Sequence, residues 1–271
     1  MPELPEIETI RRGVAPVLVD QRVEHVAVYQ RRLRWTVPPG LGRAMVGASI
    51  RDVLRRGKYL LLRTTRGTLI LHLGMSGSLR VVDPGVTPDK HEHLDLVLAN
   101  GRCLRLRDPR RFGAVLWTTE DPLAHPLLAH LGPEPLDPGF DGAWLHQRAR
   151  GRRAPVKAFL MDARVVAGIG NIYATEALFL AGIHPGRAAG RIARARYDAL
   201  AAAVRGVLQD AIRQGGTTLR DFVRSDGAPG YFSLRLRAYG KQGDACERCG
   251  HGLLTRVIAQ RSSVYCARCQ R

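Results

Sequence analysis

The chain of 271 residues lacks an apolar run long enough to cross a membrane, because its most hydrophobic stretch, residues 165–183, contains three glycines and a glutamate. Its start, Met-Pro-Glu-Leu-Pro-Glu, lacks the basic and apolar segments of a secretory signal. Cysteine is scarce, and four of the five cysteines fall within residues 246–269. This clustering is untypical of an extracellular disulfide framework, so we expect a cytoplasmic protein without a membrane segment.

Negative charge is also scarce, since 24 Asp and Glu face 42 Lys and Arg and leave a formal net charge of +18. Lysine itself occurs only at positions 58, 90, 157 and 241, so arginine carries the excess. A surplus of this size predicts a polyanionic partner and favours nucleic acid over a membrane surface. Arginine-rich usage explains the choice of arginine over lysine, but not the excess over the acids.

The first half of the chain has the pattern of one helix followed by short strands. Ile7, Ile10 and Val14 recur on one face and predict a helix over residues 5–18. Asn100-Gly101 between two apolar runs is a strong hairpin signal. We therefore expect an antiparallel sandwich or barrel with strands at residues 22–29, 58–64, 68–73, 93–99 and 102–107.

A proline-rich segment at residues 131–139 separates this half from a helical one. Beyond it, apolar periodicity predicts helices at residues 143–150, 156–161, 172–181 and 192–214, the last ended by Gly215-Gly216. A glycine-rich loop follows at residues 225–232. The expected division is an N-terminal domain at residues 1–130, a linker at 131–141, a helical domain at 142–237 and a cysteine-containing tail at 238–271.

The tail has the spacing Cys246-x2-Cys249-x16-Cys266-x2-Cys269. Two Cys-x2-Cys pairs separated by the length of a hairpin supply four thiolates for one tetrahedral zinc, which predicts a zinc ribbon. Because four thiolates leave no open coordination position, the zinc is expected to be structural. Two redox pairs or unpaired buried thiols are the alternatives.

The segment between the two cysteine pairs, residues 253–265, alternates as a β-hairpin would, and Arg261 is expected near its tip. Cys103 lies in a strand pattern and is interpreted as a buried apolar residue rather than a ligand. The ribbon by itself indicates contact with nucleic acid and no particular reaction.

Proline follows the initiator methionine, which is commonly removed when the next residue is small. The mature chain would then begin with the secondary amine of Pro2, which can attack an aldehyde-level carbon and form a cationic iminium. A terminal amine is partly deprotonated near neutral pH, and Glu3 beside it could deliver a proton. Most Met-Pro starts have no catalytic meaning, so these residues alone leave a nucleophile and an ordinary N-terminus both open.

Four further motifs accompany this start, at residues 57–59 (Gly-Lys-Tyr), 72–77 (His-Leu-Gly-Met-Ser-Gly), 108–113 (Asp-Pro-Arg-Arg-Phe-Gly) and 168–173 (Gly-Ile-Gly-Asn-Ile-Tyr). Together with the cysteine tail they resemble the bacterial formamidopyrimidine-DNA glycosylases, from residue 2 to the last cysteine pair. The start Pro-Glu-Leu-Pro-Glu favours this branch over the related endonuclease VIII enzymes. The resemblance implies an N-terminal helix plus antiparallel β-sandwich, then a helix–two-turn–helix domain with a C-terminal zinc ribbon, and DNA in a basic cleft between the two halves.

The family removes oxidised purines, chiefly 8-oxoguanine and formamidopyrimidines, and then nicks the abasic strand. The resemblance implies that Pro2 is the nucleophile at the deoxyribose C1′ and that Glu3 protonates the sugar. Lys58 and Arg261 match the proton donors of β- and δ-elimination. An iminium acidifies the neighbouring sugar carbon, and a nearby cation stabilises each phosphate as it leaves.

The family flips the damaged nucleotide out of the duplex. Met75, Arg110 and Phe112 match its intercalating triad, in which apolar side chains fill the gap and the arginine reads the orphaned cytosine. Asn171 is expected to cap a phosphate-binding helix that begins at residue 172, and residues 225–232 match the loop that covers the flipped base. Further implied contacts are His91, Arg152 and Lys157 on the lesion strand and Tyr173 and Glu176 in the lesion-side pocket.

The implied partner is damaged double-stranded DNA, bound by a monomer that needs one zinc ion and no nucleotide or redox cofactor. Two alternatives to an oxidised-purine enzyme stay open. One is an oxidised-pyrimidine glycosylase of the endonuclease VIII type. The other is a non-catalytic binder of damaged DNA, which would result if Met1 were retained and blocked the amine of Pro2.

Overall fold

The computed structural model describes residues 2–215 and 236–271. These residues divide into two compact units, an N-terminal unit of residues 2–129 with residues 214–215, and a C-terminal unit of residues 130–213 and 236–271. No helix within the described ranges is long and apolar enough to cross a bilayer. The predicted loop at residues 225–232 lies outside them.

Helix α1 opens the N-terminal unit and spans Leu4–Leu18, one residue longer than predicted. Pro5 fits the first turn because its missing N–H would have no partner there. Ile7, Ile10 and Val14 are buried along one face, as their spacing predicted. The helix thus enters the domain with its apolar stripe against the core and its first turn fixed by proline.

Two four-stranded antiparallel sheets follow, with strand orders β1-β6-β7-β5 and β2-β3-β4-β8. A short helix α2 spans Leu41–Met45. The first sheet contains β1 (Val23–Val28), β5 (Ser78–Val82), β6 (Glu92–Leu98) and β7 (Cys103–Arg107). The second contains β2 (Ile50–Arg56), β3 (Tyr59–Thr64), β4 (Gly67–His72) and β8 (Ala114–Thr118).

Both sheets contribute to one buried core with α1, as Leu62, Leu71, Leu96 and Leu106 show. The predicted sandwich is therefore confirmed. The Asn100-Gly101 hairpin is confirmed as well, since Val97 pairs with Cys103 across it. The sequence pattern did not predict β2, β5, β8 or α2.

Four helices form the body of the C-terminal unit, and α5 packs against α4 and α6 while α3 packs against α6. The carboxylate of Asp141 caps α3 by accepting the backbone N–H of Trp144 at 2.7 Å. Gly215, with φ of +84°, follows the last helix in the left-handed conformation that glycine favours. The helices are α3 (Gly142–Ala149), α4 (Val156–Met161), α5 (Asn171–Leu180) and α6 (Arg194–Arg213).

The cysteine tail ends the C-terminal unit as an antiparallel hairpin of β9 (Leu254–Ile258) and β10 (Arg261–Tyr265). Its small core joins Phe179 of α5 to Leu253 and Val264 of the ribbon. The ribbon is therefore packed on α5. The finer domain boundaries given above stay predictions.

Candidate active site and nucleic-acid interface

Pro2 and Glu3 lie at the buried start of α1. The backbone N–H of Glu3 donates to the Glu6 carboxylate at 2.8 Å, an arrangement that belongs to a capping box. Glu3 is 3% exposed and Glu6 is fully buried. This contact fixes the direction in which the chain leaves the helix, and so it fixes where Pro2 sits. The spacing Glu3-x-x-Glu6 could have identified Glu6 from the sequence.

Lys58 occupies the two-residue turn between β2 and β3, after Gly57 with φ of +57°. Arg55 stabilises this turn, because its Nη1 donates a hydrogen bond to the Gly57 carbonyl oxygen at 3.1 Å. The Nε of Arg55 lies 3.3 Å from a carboxylate oxygen of Glu8 on α1. A pair of side chains therefore connects the helix that begins at Glu3 with the turn that carries Lys58.

Glu8 is the acidic partner of three arginines. Burial alone would raise the pKa of Glu8, but hydrogen bonds from Arg11 and Arg12 lower it to about 2. Glu8 is consequently a fixed negative charge at neutral pH, and its link to Arg55 persists. Sequence reasoning singled out neither Glu8 nor Arg55.

His72 ends β4 beside Lys58. Burial, and then the charges of Lys58 and Arg34, lower the pKa of His72 to about 4. Its Nδ1 accepts the backbone N–H of Gly74 at 3.1 Å, so the proton of the neutral ring is on Nε2. The neutral ring anchors the turn that leads to Met75.

The structure brings the predicted intercalating triad together at one end of the N-terminal unit. Met75 lies in the turn between β4 and β5, and Arg110 and Phe112 lie in the loop between β7 and β8. We call residues 73–77 and 108–113 the wedge loops. They touch backbone to backbone, since a Cβ on Gly74 would lie 2.4 Å from the carbonyl carbon of Phe112.

The side chains of Arg110 and Phe112 are exposed at the tip of the second wedge loop, and Met75 is half-buried in the first. The Phe112 side chain is 45% exposed. The guanidinium of Arg110 lies 4.7 Å from the centre of the Phe112 ring. Such stacking holds the arginine and the ring as one projecting group. His91, half-buried, lies just before β6 in the same unit.

In the C-terminal unit, the predicted cap at Asn171 is corrected by one residue. Helix α5 begins at Asn171 itself, and Gly170 with extended backbone is the N-cap. The side-chain oxygen of Asn171 is buried and finds no hydrogen-bond partner within residues 2–215 and 236–271. A helix N-terminus carries partial positive charge, so this end of α5 suits an anion.

Arg152 is exposed and lines a pocket of about 340 Å³ together with Arg153 and Arg191. Its Nε donates to the carbonyl oxygen of Arg148 at 3.0 Å, which fixes the root of the side chain. Gly190 lets the two loops approach, because a Cβ there would lie 3.0 Å from the Arg152 oxygen. Three arginines among the lining residues give this surface positive charge.

Tyr173 and Glu176 lie on α5 and are 1% and 4% exposed. The Glu176 carboxylate accepts the backbone N–H groups of three successive residues, Arg237, Ala238 and Tyr239, at 2.8–2.9 Å. This carboxylate thereby fixes the chain segment that enters the zinc ribbon.

Lys157 is fully buried on α4. Its Nζ donates to the carbonyl oxygen of Ser262 at 3.0 Å and to Oγ of Ser263 at 2.8 Å. Arg261, the preceding residue, is exposed at the start of β10, beside the hairpin turn as predicted. Lys157 therefore supports the strand that presents Arg261.

The hairpin turn itself is strained. Ala259 and Gln260 have φ of 48° and 58°, a left-handed conformation that residues other than glycine rarely adopt. Two such residues in succession form the tight turn that matches the twist of antiparallel strands. The turn holds Arg261 at the edge of the ribbon at a cost in backbone energy.

The four cysteines fit a zinc ion. Their sulfur atoms all lie within 4.8 Å of one another, and Cys249 and Cys266 are 3.6 Å apart. Zinc–sulfur bonds of about 2.3 Å in a tetrahedron place sulfurs about 3.8 Å apart. Four thiols this close together hold a divalent cation as thiolates, and metal binding releases their protons. Cys103 is buried in β7, as expected.

The two units therefore carry different parts of the predicted site. Arg261, Asn171, Arg152 and the zinc ligands belong to the C-terminal unit. The N-terminal unit carries Pro2, Glu3, Lys58, Met75, His91, Arg110 and Phe112.

Three family models match successive parts of the chain. Residues 1–115 match the formamidopyrimidine-DNA glycosylase N-terminal domain, and residues 131–223 match the formamidopyrimidine-DNA glycosylase H2TH domain. Residues 243–271 match the zinc finger found in FPG and IleRS. Matches in this order define a zinc-containing DNA glycosylase as the class of protein.

Relatives that match over their full length belong to the same class of protein. The chain is 60% identical to a formamidopyrimidine-DNA glycosylase of Alkalilimnicola ehrlichii and 58% identical to one of Methylococcus capsulatus, with 100% of each chain covered. A solved complex of the Lactococcus lactis enzyme with DNA containing N7-benzyl-Fapy-dG has a TM-score of 0.92 at 33% identity, with 100% of both chains covered. The crystal structure of the MutM (FPG) protein from Thermus thermophilus has a TM-score of 0.89 at 37% identity. The match covers 99% of this chain and 98% of that one. The chain belongs to the formamidopyrimidine-DNA glycosylase family.

Proposed function

We propose that this protein excises oxidised purines, 8-oxoguanine and formamidopyrimidines, from double-stranded DNA and then cleaves the abasic strand. The observation that carries the proposal is the position of Pro2 and Glu3 at the buried, capped start of α1. Full-length identity of 60% to a glycosylase of this family supports the substrate class.

The first step needs the amine of Pro2, and therefore removal of Met1. The secondary amine attacks C1′ of the damaged nucleotide, and the bond from C1′ to the base breaks as the base takes the proton that the amine loses. The iminium then forms when the C1′–O4′ bond of the sugar breaks. Glu3 supplies the proton that opens the sugar ring. Because Glu3 is almost fully buried, its proton transfer takes place with little competition from water.

Two eliminations follow from the iminium, which acts as an electron sink. Loss of a proton from C2′ expels the 3′ phosphate, and a second elimination expels the 5′ phosphate. We assign the first to Lys58, whose turn is braced by Arg55, and the second to Arg261 on the ribbon. A cation at each leaving phosphate stabilises the developing negative charge.

Access to the lesion requires the duplex to be opened. Met75 and Phe112 would fill the gap left by the flipped nucleotide, and Arg110 would pair with the orphaned cytosine. His91, Arg152 and the start of α5 at Asn171 would bind phosphates. Lys157, Tyr173 and Glu176 would act from buried positions, by supporting the segments that face the DNA.

One zinc ion held by the four cysteines has a structural role, and the protein acts as a monomer on damaged DNA in the bacterial cytoplasm. With about six phosphate contacts, log affinity should fall against log salt with a slope of roughly −5.

Duplexes with one lesion test the proposal. The protein is incubated with 8-oxoguanine opposite cytosine and, separately, with thymine glycol opposite adenine, and the cleavage products are resolved on a denaturing gel. Faster cleavage at 8-oxoguanine, ending in the product of both eliminations, is expected. Faster cleavage at thymine glycol would favour an oxidised-pyrimidine enzyme, and binding without cleavage by a chain that retains Met1 would favour the binding-only alternative.

A further inference from the structure

Asp108 begins the second wedge loop directly after β7, and it is fully buried. Its side chain spans both wedge loops. Oδ1 accepts the hydroxyl of Ser76 at 3.1 Å, and Oδ2 accepts the backbone N–H of Gly113 at 2.7 Å. Ser76 follows Met75 in the chain, and Gly113 follows Phe112. One carboxylate thus joins the two segments that carry the proposed wedge.

The backbone of Asp108 is equally engaged. Its N–H donates to the carbonyl oxygen of His91 at 2.9 Å, and its own carbonyl oxygen accepts the N–H of Arg111 at 3.1 Å. The same carbonyl oxygen lies 2.7 Å from Nε2 of His93, which must donate because a carbonyl only accepts. His91, a proposed phosphate contact, is therefore tied to the same residue.

The space between Gly113 and Asp108 is tight. A Cβ on Gly113 would lie 2.9 Å from Oδ2 of Asp108 and 2.7 Å from the carbonyl oxygen of His72. Glycine at this position lets the backbone N–H reach the carboxylate. The wedge loops are consequently set by short polar contacts, and not by apolar packing alone.

A buried carboxylate is a costly way to stabilise a sandwich. Within residues 2–215 and 236–271, Asp108 forms no ion pair, so its hydrogen bonds must compensate its loss of hydration. An apolar residue could fill the same space at the end of β7. What an apolar residue could not do is accept hydrogen bonds from two loops at once.

We propose that Asp108 is a positioning residue that holds Met75, Arg110 and Phe112 in the geometry needed to open the duplex. The inference rests on the proposed function, because it gives the wedge loops their task. Excision of a stacked lesion should then depend on Asp108 strongly, whereas cleavage of an abasic site in single-stranded DNA, where no stack is opened, should not.

The test uses Asp108→Ala, Asp108→Asn and Ser76→Ala in the full-length zinc-loaded protein. An asparagine can still accept from Gly113 and donate to the Ser76 oxygen, so it serves as the conservative rescue. Ser76→Ala removes one hydrogen bond with little change in volume, and it keeps the test open should Asp108→Ala fail to fold. Asp95→Asn is the matched control, since Asp95 is a buried carboxylate of the same sandwich that pairs with Arg105.

Two rates are measured for each variant, excision of 8-oxoguanine from duplex and scission of a single-stranded abasic oligonucleotide. Asp108→Ala should lower kcat for excision about tenfold or more, because small misplacements of a positioned group are costly. Ser76→Ala should lower it less, and Asp108→Asn should stay within about threefold of wild type. Scission should stay within about twofold for all three variants. The fluorescence of a 2-aminopurine placed beside the lesion rises when the base stack opens, and this rise should be smaller with Asp108→Ala than with wild type.

A parallel loss of both rates, as expected for the Asp95→Asn control if it destabilises the domain, would overturn the positioning role and leave a structural one. Unchanged excision in Asp108→Ala and Ser76→Ala would overturn it as well. Phe112→Ala separates this failure from failure of the proposed function. If that variant excises 8-oxoguanine normally, the wedge itself is wrong, and if it does not while Asp108→Ala does, only the positioning role is wrong.

Discussion

The N-terminal unit and the zinc ribbon hold their functional residues by different physical means. The N-terminal unit surrounds a large apolar core to which α1 and both sheets contribute. The ribbon packs around a cluster of six buried residues, of which one, Phe179, comes from α5 and two are the zinc ligands Cys246 and Cys266. A cluster this small cannot stabilise a hairpin alone. Metal binding must therefore supply the remaining folding free energy of the ribbon.

This difference determines how each proposed catalytic group is placed. Glu3 and Lys58 are positioned by polar contacts that rest on a rigid core, through Glu6 and Arg55. Arg261 is positioned by a strained turn and a hairpin that depends on zinc. A change in the N-terminal unit should therefore impair the steps assigned to Glu3 and Lys58. A change in the zinc ribbon should impair the step assigned to Arg261.

Loss of one zinc ligand should have the largest effect. Structural zinc contributes about 10–16 kcal/mol to the folding of a small module, so Cys249→Ser should release the metal and unfold the ribbon. We expect no bound zinc and a loss of DNA affinity, with the N-terminal unit still folded. Metal content, binding and near-UV circular dichroism measure the three quantities.

Cys103→Ala is the control, since Cys103 is buried in β7 and lies outside the cysteine cluster. It should keep one zinc per chain. Equal zinc content and equal affinity in Cys249→Ser and wild type would contradict the dependence of the ribbon on metal.

Removal of the ribbon cation alone should have a narrower effect. Arg261→Gln keeps an exposed polar side chain and leaves the fold intact. Because Arg261 is assigned to the second elimination, the product of the first should accumulate, with the ratio shifted about tenfold or more. Product analysis on duplex with a preformed abasic site measures this ratio. An unchanged ratio would remove Arg261 from that step.

Acid should weaken the N-terminal unit through His72. The pKa of His72 is lowered from 6.5 to about 4 by burial and by the charge of Lys58. Between these values the unfolded chain binds the proton and the folded chain does not, so stability falls as pH falls from 6.5 through 4. At pH 5 the loss is about 2 kcal/mol relative to neutral pH.

Urea unfolding at pH 7.5 and pH 5.0 measures this loss in wild type and in His72→Gln, which cannot titrate. The variant should lose less stability than wild type over the same interval. The same loss in both proteins would show that His72 is not the group responsible.

Relief of strain in the ribbon turn should have the smallest effect. Gln260 is exposed and has φ of 58°, so Gln260→Gly removes backbone strain without removing a buried contact. A gain of about 1 kcal/mol is expected for the ribbon, seen as slower zinc release to a chelator. Gln260→Ala, which keeps a Cβ, should show no gain, and equal release from both variants would contradict the strain.

The sequence predicted the elements whose pattern is strong. Helix α1 has an apolar stripe, and the β6–β7 hairpin has Asn-Gly at its turn, so both were located to within a residue or two. Strand β2 was missed because its sequence, Ile-Arg-Asp-Val-Leu-Arg-Arg, buries only Ile50 and Val53. Its strand conformation depends on pairing with β3, which local pattern does not encode.

The residues of the candidate site were also predictable only where a local sequence pattern marks them. The zinc ligands follow from their spacing, and Glu6 could have followed from the capping-box pattern. The role of Asp108 could not be predicted in this way, because it depends on contact between two loops that are distant in the chain. Asp108 and Ser76, which share a hydrogen bond, are 32 residues apart in the sequence. Such convergence is a property of the folded sandwich, and only the structure reveals it.

The central claim is that the amine of Pro2 forms an iminium with damaged DNA, and borohydride trapping tests it most directly. A chain whose intact mass shows removal of Met1 is incubated with an 8-oxoguanine:cytosine duplex and reduced. We expect a covalent protein–DNA band that maps to the peptide beginning at Pro2, and no band after acetylation of the N-terminus. No band from the processed chain under conditions where it binds and cleaves the duplex, or a crosslink mapped to Lys58, would contradict the account.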